Sequence, residues 1–496
     1  MAQMITPSYK EFEKSFRSGA MTALVETFPA DLETPVSAFL KIARKEKDAF
    51  LLESAIEEQK IGRYSFLGIQ PESVVKALKD GKFEIIQKNK SKQVQRGAVL
   101  DYINQQIRNT RVSTDSLFAG FPGGYIGYFS YENVREFENV NIKKNHPYPF
   151  PPAIFFRVHE FIVFDHFRKT LSIVVLTSRD HFSSAQKAYK NGLKRIRFYE
   201  KRLKAPLKIK TLPEKRAAVR LKSNFTSEQF HNSVRKAKEF IRAGDIIQVV
   251  LSQRFETEFS GDDFQIYRSL RSVNPSPYMF YFRAGSTRLV GSSPEVLVKK
   301  TGRTAELRPI AGTRPRGTTS EQDLNFERQL KISKKELAEH VMLVDLGRND
   351  LGRVSEFQSV KVDDYAHVER YSHVMHLVSN VRSTLKKNKT AADLLRAVFP
   401  AGTVSGAPKI RAMQIIDELE PEGRGPYAGC LGYFAFNGDM DMCITIRTLM
   451  LQDSHLCVQA GAGIVKDSVP RKEFEETVNK ARGVIKAIEQ RNFFSC

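Results

Sequence analysis

The stretch Pro309-Ile310-Ala311-Gly312-Thr313 decides how the rest of this chain is interpreted. Three further stretches follow it along the chain: Ala338-Glu339-His340, Ala460-Gly461-Ala462-Gly463 and Glu473-Phe474-Glu475-Glu476-Thr477. Two of these carry glutamates, and one carries glycines that let a backbone approach a ligand closely. Together they indicate a site that combines carboxylates with backbone N–H donors.

The glutamates are spaced for helices. Glu336 and Glu339 are three residues apart, as are Glu473 and Glu476, so each pair projects from one helical face. If the two faces meet, four carboxylates repel one another unless a hard cation such as Mg²⁺ neutralises them. A single Glu-x-x-Glu is more typical of a solvated helix face, so the spacing alone leaves both interpretations open.

Three features could bind an anion. Gly461-Ala462-Gly463 can present backbone N–H groups, and Arg447, in a predicted strand over residues 444–448, can hold a carboxylate with a two-pronged hydrogen bond. Residues 402–409 predict a loop that enters a helix with Pro408 in its first turn. Each feature alone is more often structural than functional.

Composition excludes several classes of protein. The chain has 496 residues, 41% of them hydrophobic, which is enough for a large core and favours two to four domains. The N-terminus does not resemble a signal sequence and no apolar run approaches about 18 residues, so we expect a cytoplasmic protein. The four cysteines show no Cys-x-x-Cys spacing, which argues against a zinc site or a disulfide framework. Cys430 lies in a sequence unlike the nucleophile turn of glutamine amidotransferases, and we interpret it as a buried strand residue.

The formal net charge is +22. Such a charge can indicate binding to nucleic acid or to a membrane surface. Between Lys187 and Lys222 there are 14 Lys or Arg residues and only two acids, with no aromatic platform or zinc-finger pattern. A solvated basic face is the favoured interpretation, and the positive potential could also attract a dianionic substrate.

Alternating segments predict an α+β chain. Residues 154–164 and 171–177 predict two strands of a hairpin that turns at His166-Phe167-Arg168-Lys169, and residues 184–202 predict a helix. The charged residues 204–222, with two prolines, predict a linker between an N-terminal domain, 1–203, and a catalytic domain, 223–490.

The second half begins with a predicted helix that Thr226 and Gln229 cap and Gly244 ends. The predicted strands cover residues 246–255, 278–282 and 287–291, and a hairpin over 432–449 turns at Asn437-Gly438. The two glutamate pairs lie in predicted helices at about 322–346 and 471–489.

These segments resemble the large subunit (component I) of anthranilate synthases over about residues 48–485. The resemblance also includes Leu51-Leu52-Glu53-Ser54, Asn274-Pro275-Ser276-Pro277-Tyr278-Met279, Val344-Asp345-Leu346-Gly347-Arg348-Asn349-Asp350 and Ala401-Gly402-Thr403-Val404-Ser405-Gly406-Ala407-Pro408-Lys409. It implies two interlocked α/β units whose antiparallel sheets pack as a central β-sandwich flanked by helices.

The resemblance also assigns roles to residues of this chain. The implied metal shell is Glu339 and Glu476, supported by Glu336 and Glu473. The implied catalytic residues are His376, Glu295 and Lys480. The implied chorismate contacts are Gly312, Thr313, Thr403, Tyr427, Arg447, Gly461, Ala462 and Gly463. One departure is Ser333, where the family usually has an acid.

The implied reaction joins chorismate and ammonia to give anthranilate and pyruvate, with Mg²⁺ as cofactor. It is the first step from chorismate towards tryptophan, and a separate glutamine amidotransferase subunit supplies the ammonia. Two distant segments resemble the binding site for L-tryptophan, the feedback inhibitor, through Ser54, Pro277, Tyr278 and Met279. A ligand held between them could couple the two halves.

Three alternatives remain open from sequence. Aminodeoxychorismate synthases typically have Lys where this chain has Ala311. Isochorismate and salicylate synthases typically have a lysine base where this chain has Gln248. The third alternative, a basic nucleic-acid-binding protein, rests on charge alone.

Overall fold

A computed structural model describes residues 5–54, 62–113, 121–207, 221–371 and 374–490. Within these ranges the α-helices are α1 Tyr9–Arg17, α2 Pro35–Ile42, α3 Val99–Asn109, α4 Val134–Phe137, α5 Ala185–Leu203, α6 Ser227–Arg242, α7 Asp263–Val273, α8 Ser320–Ile332, α9 Lys334–Gly352, α10 Ala391–Val398, α11 Lys409–Leu419 and α12 Pro470–Glu489. Two short 3₁₀ helices cover Tyr131–Asn133 and Gly402–Val404.

The strands form two large sheets. They are β1 Thr22–Pro29, β2 Asp48–Glu53, β3 Tyr64–Ile69, β4 Ser73–Ala77, β5 Lys82–Gln87, β6 Lys92–Arg96, β7 Gly124–Phe129, β8 Ala153–Val158, β9 Glu160–Asp165, β10 Thr170–Thr177, β11 Lys222–Ser223, β12 Gln248–Glu258, β13 Tyr278–Ala284, β14 Thr287–Ser293, β15 Val296–Thr301, β16 Thr304–Leu307, β17 Ile310–Pro315, β18 Lys361–Arg370, β19 Val374–Thr384, β20 Gly406–Ala407, β21 Cys430–Ala435, β22 Met440–Ile444, β23 Thr448–Gln452 and β24 His455–Ile464.

The first sheet has the order β1-β10-β9-β3-β2-β13-β14-β23-β24-β12-β11, and β20 pairs with β12. The second has the order β17-β19-β16-β15-β22-β21-β7-β8-β4-β5-β6, and β18 pairs with β19. The sheets pack face to face, since Phe282 of the first stacks on Phe156 and meets Tyr128 edge-on in the second. The predicted α+β sandwich is confirmed.

Helices cover the outer faces of the sandwich. The outer face of the first sheet packs against α1, α2, α5, α7 and α12 in one continuous apolar cluster. The predicted start of α6 is confirmed, because Thr226 and Gln229 form a reciprocal capping box. Gly244 follows this helix with φ +82°, a backbone conformation that favours glycine.

The chain passes directly between the sheets at several points. It leaves the second sheet after β8 and enters the first at β9, with only His159 between them. The predicted single strand over 154–164 is therefore wrong: it is two strands in different sheets, and the hairpin consists of β9 and β10. Similar crossings join β14 to β15 through Pro294 and Glu295, and β22 to β23 through residues 445–447.

The predicted hairpin over 432–449 is partly correct. Its turn at Asn437-Gly438 joins β21 to β22, but β23 belongs to the other sheet. The predicted helix over 322–346 is also wrong as a single element. It divides at Ser333, which ends α8 and whose side chain accepts a hydrogen bond from the Glu336 backbone as the N-cap of α9.

Strands from both sides of the predicted domain boundary contribute to each sheet. In the first sheet β2 pairs with β13, and in the second β7 pairs with β21. Most of the predicted linker, residues 208–220, lies outside the described residues, so the boundary stays a prediction. Among the described helices, none is long and apolar enough to cross a membrane.

Candidate active site

The two glutamate pairs lie on α9 and α12. Burial raises the pKa of Glu339, and the charge of neighbouring Glu336 raises it further. Burial likewise raises the pKa of Glu473, and Glu476 adds to the shift. Each pair therefore contains carboxylates that repel one another, which is the condition that a bound cation would relieve.

Two lysines, one on α9 and one on α12, lie near both glutamate pairs. The charges of Lys335 and Lys480 act on both Glu339 and Glu473 and partly offset the raised pKa values. Lys480 Nζ lies 2.6 Å from Glu476 Oε1 and donates to the Gly461 carbonyl at 3.0 Å. Within the described ranges, three possible metal ligands lie within 4.8 Å of one another only at Glu72, His159 and His181. The four glutamates thus face a common region without converging on one point.

Strand β24 carries Gly461 and Gly463 along β12. A side-chain carbon on Gly461 would lie 2.8 Å from the Tyr427 hydroxyl, and one on Gly463 would lie 2.6 Å from Gln248 Nε2. Gly461 is also close to Val250 and to the Leu251 carbonyl, so that position favours glycine, whereas a side chain at position 463 would displace the Gln248 amide. Tyr427 and the glycine backbone consequently lie side by side next to Lys480.

Arg447 does not lie in a strand, contrary to the prediction. It occupies the crossing between β22 and β23 with φ +52°, because the chain must turn from one sheet into the other there. Its Nη1 donates to the Lys480 carbonyl at 3.0 Å, and burial lowers its pKa. A largely buried guanidinium beside Tyr427 and Glu476 can bind a carboxylate strongly.

Glu295 lies in the crossing between β14 and β15. Burial raises the pKa of its carboxyl to about 7, although Thr403 and Lys480 partly offset the shift. A carboxyl with this pKa is partly protonated near neutral pH, so it can donate a proton and also accept one.

Gly312, Thr313 and His376 lie together where β17 pairs with β19. The register shifts between Ala311 and Thr313, and Gly312 has φ +68°. His376 Nδ1 donates to the Gly312 carbonyl at 2.9 Å, so Nε2 is the free acceptor of the neutral ring. Burial lowers the pKa of His376, partly offset by this hydrogen bond, and the charge of Arg447 lowers it again.

Known proteins are similar to this chain over nearly its whole length. The profile of a family described as chorismate binding enzyme matches residues 47–486. Anthranilate synthase component 1 of Synechocystis sp. is 45% identical over 98% of this chain and 99% of its own length. The same component of Acetivibrio thermocellus is 44% identical over 93% and 94%. The chain belongs to the anthranilate synthase component 1 family.

A solved family structure agrees. Anthranilate synthase component I from Streptococcus pneumoniae has a TM-score of 0.76 and 36% identity, and the match covers 92% of this chain and 98% of that one. The menaquinone-specific isochorismate synthase of Escherichia coli has a TM-score of 0.69 at 18% identity, covering 97% and 99%. The second likeness shows the fold alone.

Two residues bear on the two alternative classes of chorismate enzyme that the sequence left open. Ala311 is buried in β17 beside the bulge at Gly312, so no side-chain amine enters the site there. Gln248 begins β12 and its Nε2 donates to Glu339 Oε1 at 3.4 Å. An amide cannot take up a proton near neutral pH, so Gln248 cannot act as the base that activates water.

The predicted regulatory residues lie together where strands of the first sheet face strands of the second. Met279 of β13 pairs with Glu53 of β2, which brings Ser54 next to it. Ser54, Pro277, Tyr278 and Met279 line a cavity of about 670 Å³ that also reaches Tyr433 and Asp441 of the second sheet. The Ser54 hydroxyl is buried and has no hydrogen-bond partner in the part of the chain that the structure describes.

Sequence reasoning missed several charged groups at the active site. Arg314 Nη1 lies 3.2 Å from Glu336 Oε1, and Lys335 acts on both glutamate pairs. Both cations stand next to motif residues in sequence, and a search for basic neighbours would have found them. The interpretation of Cys430 as a buried residue is confirmed, and burial raises the pKa of its thiol to about 12.

Proposed function

We propose that this chain converts chorismate and ammonia into anthranilate and pyruvate. The observation that carries the proposal is the placement of paired carboxylates on α9 and α12 next to Arg447, Lys480 and the glycine backbone of β24. The carboxylates suit a divalent cation, and the arginine, the lysine and the backbone N–H groups suit anionic groups. Chorismate carries two carboxylates, so it can use both.

We propose Mg²⁺ as the cation. Glutamate oxygens are the hard ligands that it prefers, and burial together with a neighbouring carboxylate raises the pKa values of Glu339 and Glu473, a cost that a bound cation would offset. Glu339 and Glu476 would bind it, with Glu336 and Glu473 in support. When bound, Mg²⁺ supplies charge neutralisation for the ring carboxylate of the substrate.

The protein groups hold the remaining charge. Arg447 and the N–H groups of Gly461, Ala462 and Gly463 are proposed to bind the other carboxylate, with Tyr427 beside them. Gly312, Thr313 and Thr403 complete the contacts around the ring. Lys480, fixed by the Gly461 carbonyl, holds positive charge where negative charge develops.

Proton transfer is assigned to Glu295 and His376. Ammonia adds at C2 of chorismate, and the C4 hydroxyl leaves as water after taking a proton from Glu295, whose pKa of about 7 keeps a proton available. His376 Nε2 is free to accept a proton. The added nitrogen returns one proton to Glu295. Loss of the C2 proton to a base then breaks the bond between the ring and the enolpyruvyl oxygen, and the departing enolpyruvate takes up that proton to give pyruvate while the ring becomes aromatic.

The identity of the product distinguishes this reaction from amination of chorismate at C4. Ala311 leaves space and offers no nucleophile beside the ring, which suits attack by free ammonia. With chorismate, Mg²⁺ and an ammonium salt, we expect anthranilate, identified by fluorescence and mass. A product mixture dominated by 4-amino-4-deoxychorismate would overturn the proposal.

The ammonia is proposed to come from a separate glutamine amidotransferase subunit. The sequence around Cys430 differs from a glutaminase nucleophile turn, and this cysteine is buried with a raised thiol pKa, which suits neither nucleophilic attack nor access to glutamine. We therefore expect turnover by the isolated chain with ammonium but not with glutamine alone. Glutamine-dependent turnover by the rigorously isolated chain would contradict this.

L-Tryptophan is proposed to bind in the cavity at Ser54 and Met279 and to inhibit. Support comes from the cavity volume of about 670 Å³, which lies in the usual range for small-molecule sites, and from the unpartnered Ser54 hydroxyl. Pro294 and Val296, which flank Glu295, also line the cavity. An occupant could therefore act on the catalytic carboxyl through this crossing.

A further inference from the structure

A second group of possible metal ligands lies where the chain crosses between the sheets in the N-terminal half. Glu72 immediately precedes β4 of the second sheet, His159 is the single residue between β8 and β9, and His181 follows β10 of the first sheet. The backbone around them is fixed, because Glu72 N donates to the Arg157 carbonyl and Leu176 N to the His159 carbonyl. We call these three residues the crossover triad.

The side chains of the crossover triad converge. Glu72 Oε2 lies 2.8 Å from His159 Nδ1, and Glu72 Oε1 lies 2.6 Å from His181 Nε2. One ligand atom from each residue lies within 4.8 Å of the others. Ligand atoms around tetrahedral Zn²⁺ are about 3.4 Å apart, given bonds of about 2.0–2.1 Å. Adjustments of about 1 Å in the side chains would accommodate an ion.

The two imidazoles meet Glu72 at different oxygens. His159 Nε2 is buried without a hydrogen-bond partner among the described residues, so the polar contact of this ring lies on the Nδ1 side, towards Glu72. His181 meets the other Glu72 oxygen through Nε2. A metal that binds at these atoms displaces the protons that the imidazoles share with the carboxylate.

The surroundings set the affinity. Arg157 Nε lies 3.3 Å from Glu72 Oε2 and opposes a cation, whereas the charge of Asp180 favours positive charge at His181. His181 is 42% exposed, which leaves a route for the ion and room for a water ligand. Two imidazoles and one carboxylate suit a borderline ion such as Zn²⁺ better than Mg²⁺.

We propose that the crossover triad binds one zinc-class divalent ion that ties the two sheets together, separately from the active site. Its ligands come from both sheets and from the crossing between them, so binding stabilises the folded chain. The proposal does not depend on the reaction proposed above.

The test is a calorimetric titration of the metal-free, tag-free chain with Zn²⁺ in excess Mg²⁺, which occupies the glutamate site. We expect one Zn²⁺ per chain, with a rise in melting temperature. His181→Asn should weaken binding at least about tenfold, the lower end of what loss of a supporting residue costs a metal site. Because His181 is partly exposed, this variant should fold, and Glu72→Gln provides a second test.

His231→Asn is the matched control, since His231 lies 3.9 Å from Glu228 but has no second histidine in that ion pair. It should bind Zn²⁺ as the parent chain does. With Co²⁺ in place of Zn²⁺, the parent and the control should show a ligand-field spectrum that His181→Asn lacks. The proposal is overturned if the parent chain binds no Zn²⁺, or if both triad variants bind it as tightly as the parent.

Discussion

The active site and the cavity at Met279 differ in how their polar groups are satisfied. At the active site Glu339 and Glu473 are held against like charges, and their pKa values are raised. In the cavity Tyr278 donates to Asp441 at 2.9 Å, and Met279 is held in β13 between β2 and β14. The first region needs a ligand to balance its charge, whereas the unsatisfied group in the second is a neutral one, the Ser54 hydroxyl, which has no partner among the described residues.

The two regions nevertheless meet at one crossing. Glu295 belongs to the proposed active site, while its neighbours Pro294 and Val296 line the cavity. The comparison therefore predicts that catalysis and inhibition can be removed separately. It also predicts that Glu295 is where the two regions influence each other.

The largest expected effect comes from the carboxylates. Glu339→Gln and Glu476→Gln should each lower turnover at least about a thousandfold, because metal-assisted charge stabilisation is worth several kcal/mol. The melting temperature should not fall, since a repelling charge is removed at Glu339. The measurement is anthranilate formation with ammonium and Mg²⁺, alongside thermal unfolding.

Glu475→Gln is the control on α12, because Glu475 is exposed and pairs with Arg471 instead of the site. It should keep parental turnover. Near-parental turnover in both Glu339→Gln and Glu476→Gln would show that the cation is held elsewhere.

The next effect concerns Glu295 and pH. With a pKa of about 7, its protonated form is present at low pH and is lost as pH rises through 7, so turnover should fall on the alkaline side. Glu295→Gln should lower turnover about a hundredfold, within the usual range for loss of an acid catalyst. The pH profile of this variant should lack the alkaline fall, and a retained fall would assign it to another group.

Substitutions in the cavity at Met279 should change inhibition and leave turnover unchanged. Ser54→Phe and Met279→Thr should weaken inhibition by L-tryptophan at least about tenfold, the effect of lost or blocked apolar contacts in a pocket. Turnover without tryptophan should change little, since neither residue touches the active site. Met21→Thr, a buried methionine outside the cavity, should leave inhibition intact.

This prediction has a clear contrary outcome. Ligand binding to the folded state must raise its melting temperature. If saturating tryptophan neither inhibits the parent chain nor raises its melting temperature, the cavity does not bind it.

The smallest effect concerns Ser333, which caps α9 and so orients Glu336 and Glu339. Ser333→Ala should lower the free energy of unfolding by about 1 kcal/mol, as loss of an N-cap does. Ser333→Asp, another good N-cap, should restore stability in denaturant titrations. Equal stability of the Ser333→Ala and parent chains would show that the cap contributes nothing.

The sequence predicted a helix well where the whole helix packs against one face of the fold. The helix predicted over 184–202 is α5, Ala185–Leu203, and that over 471–489 is α12, Pro470–Glu489. Periodicity and capping residues report directly on such segments.

The predictions failed where the chain crosses from one sheet to the other. Residues 154–164 are mainly apolar, because both sheets are buried there, and the polar residues Arg157, His159 and Glu160 among them do not distinguish a crossing from a continuous strand. Arg447 was wrongly predicted to lie in a strand because its segment also crosses between the sheets. The glutamate pairs were found through local motifs, but the crossover triad joins three distant segments that no spacing rule connects.

The pairing of β2 with β13 has a consequence during synthesis of the protein. Glu53 must wait for Met279, more than 200 residues later, before the central ladder of the first sheet can close. At about 5–20 residues per second this delay lasts roughly 10–45 seconds on the ribosome. Throughout that interval the apolar edge of β2 that pairs with β13 is unpaired. We therefore expect chaperones to bind the nascent N-terminal half.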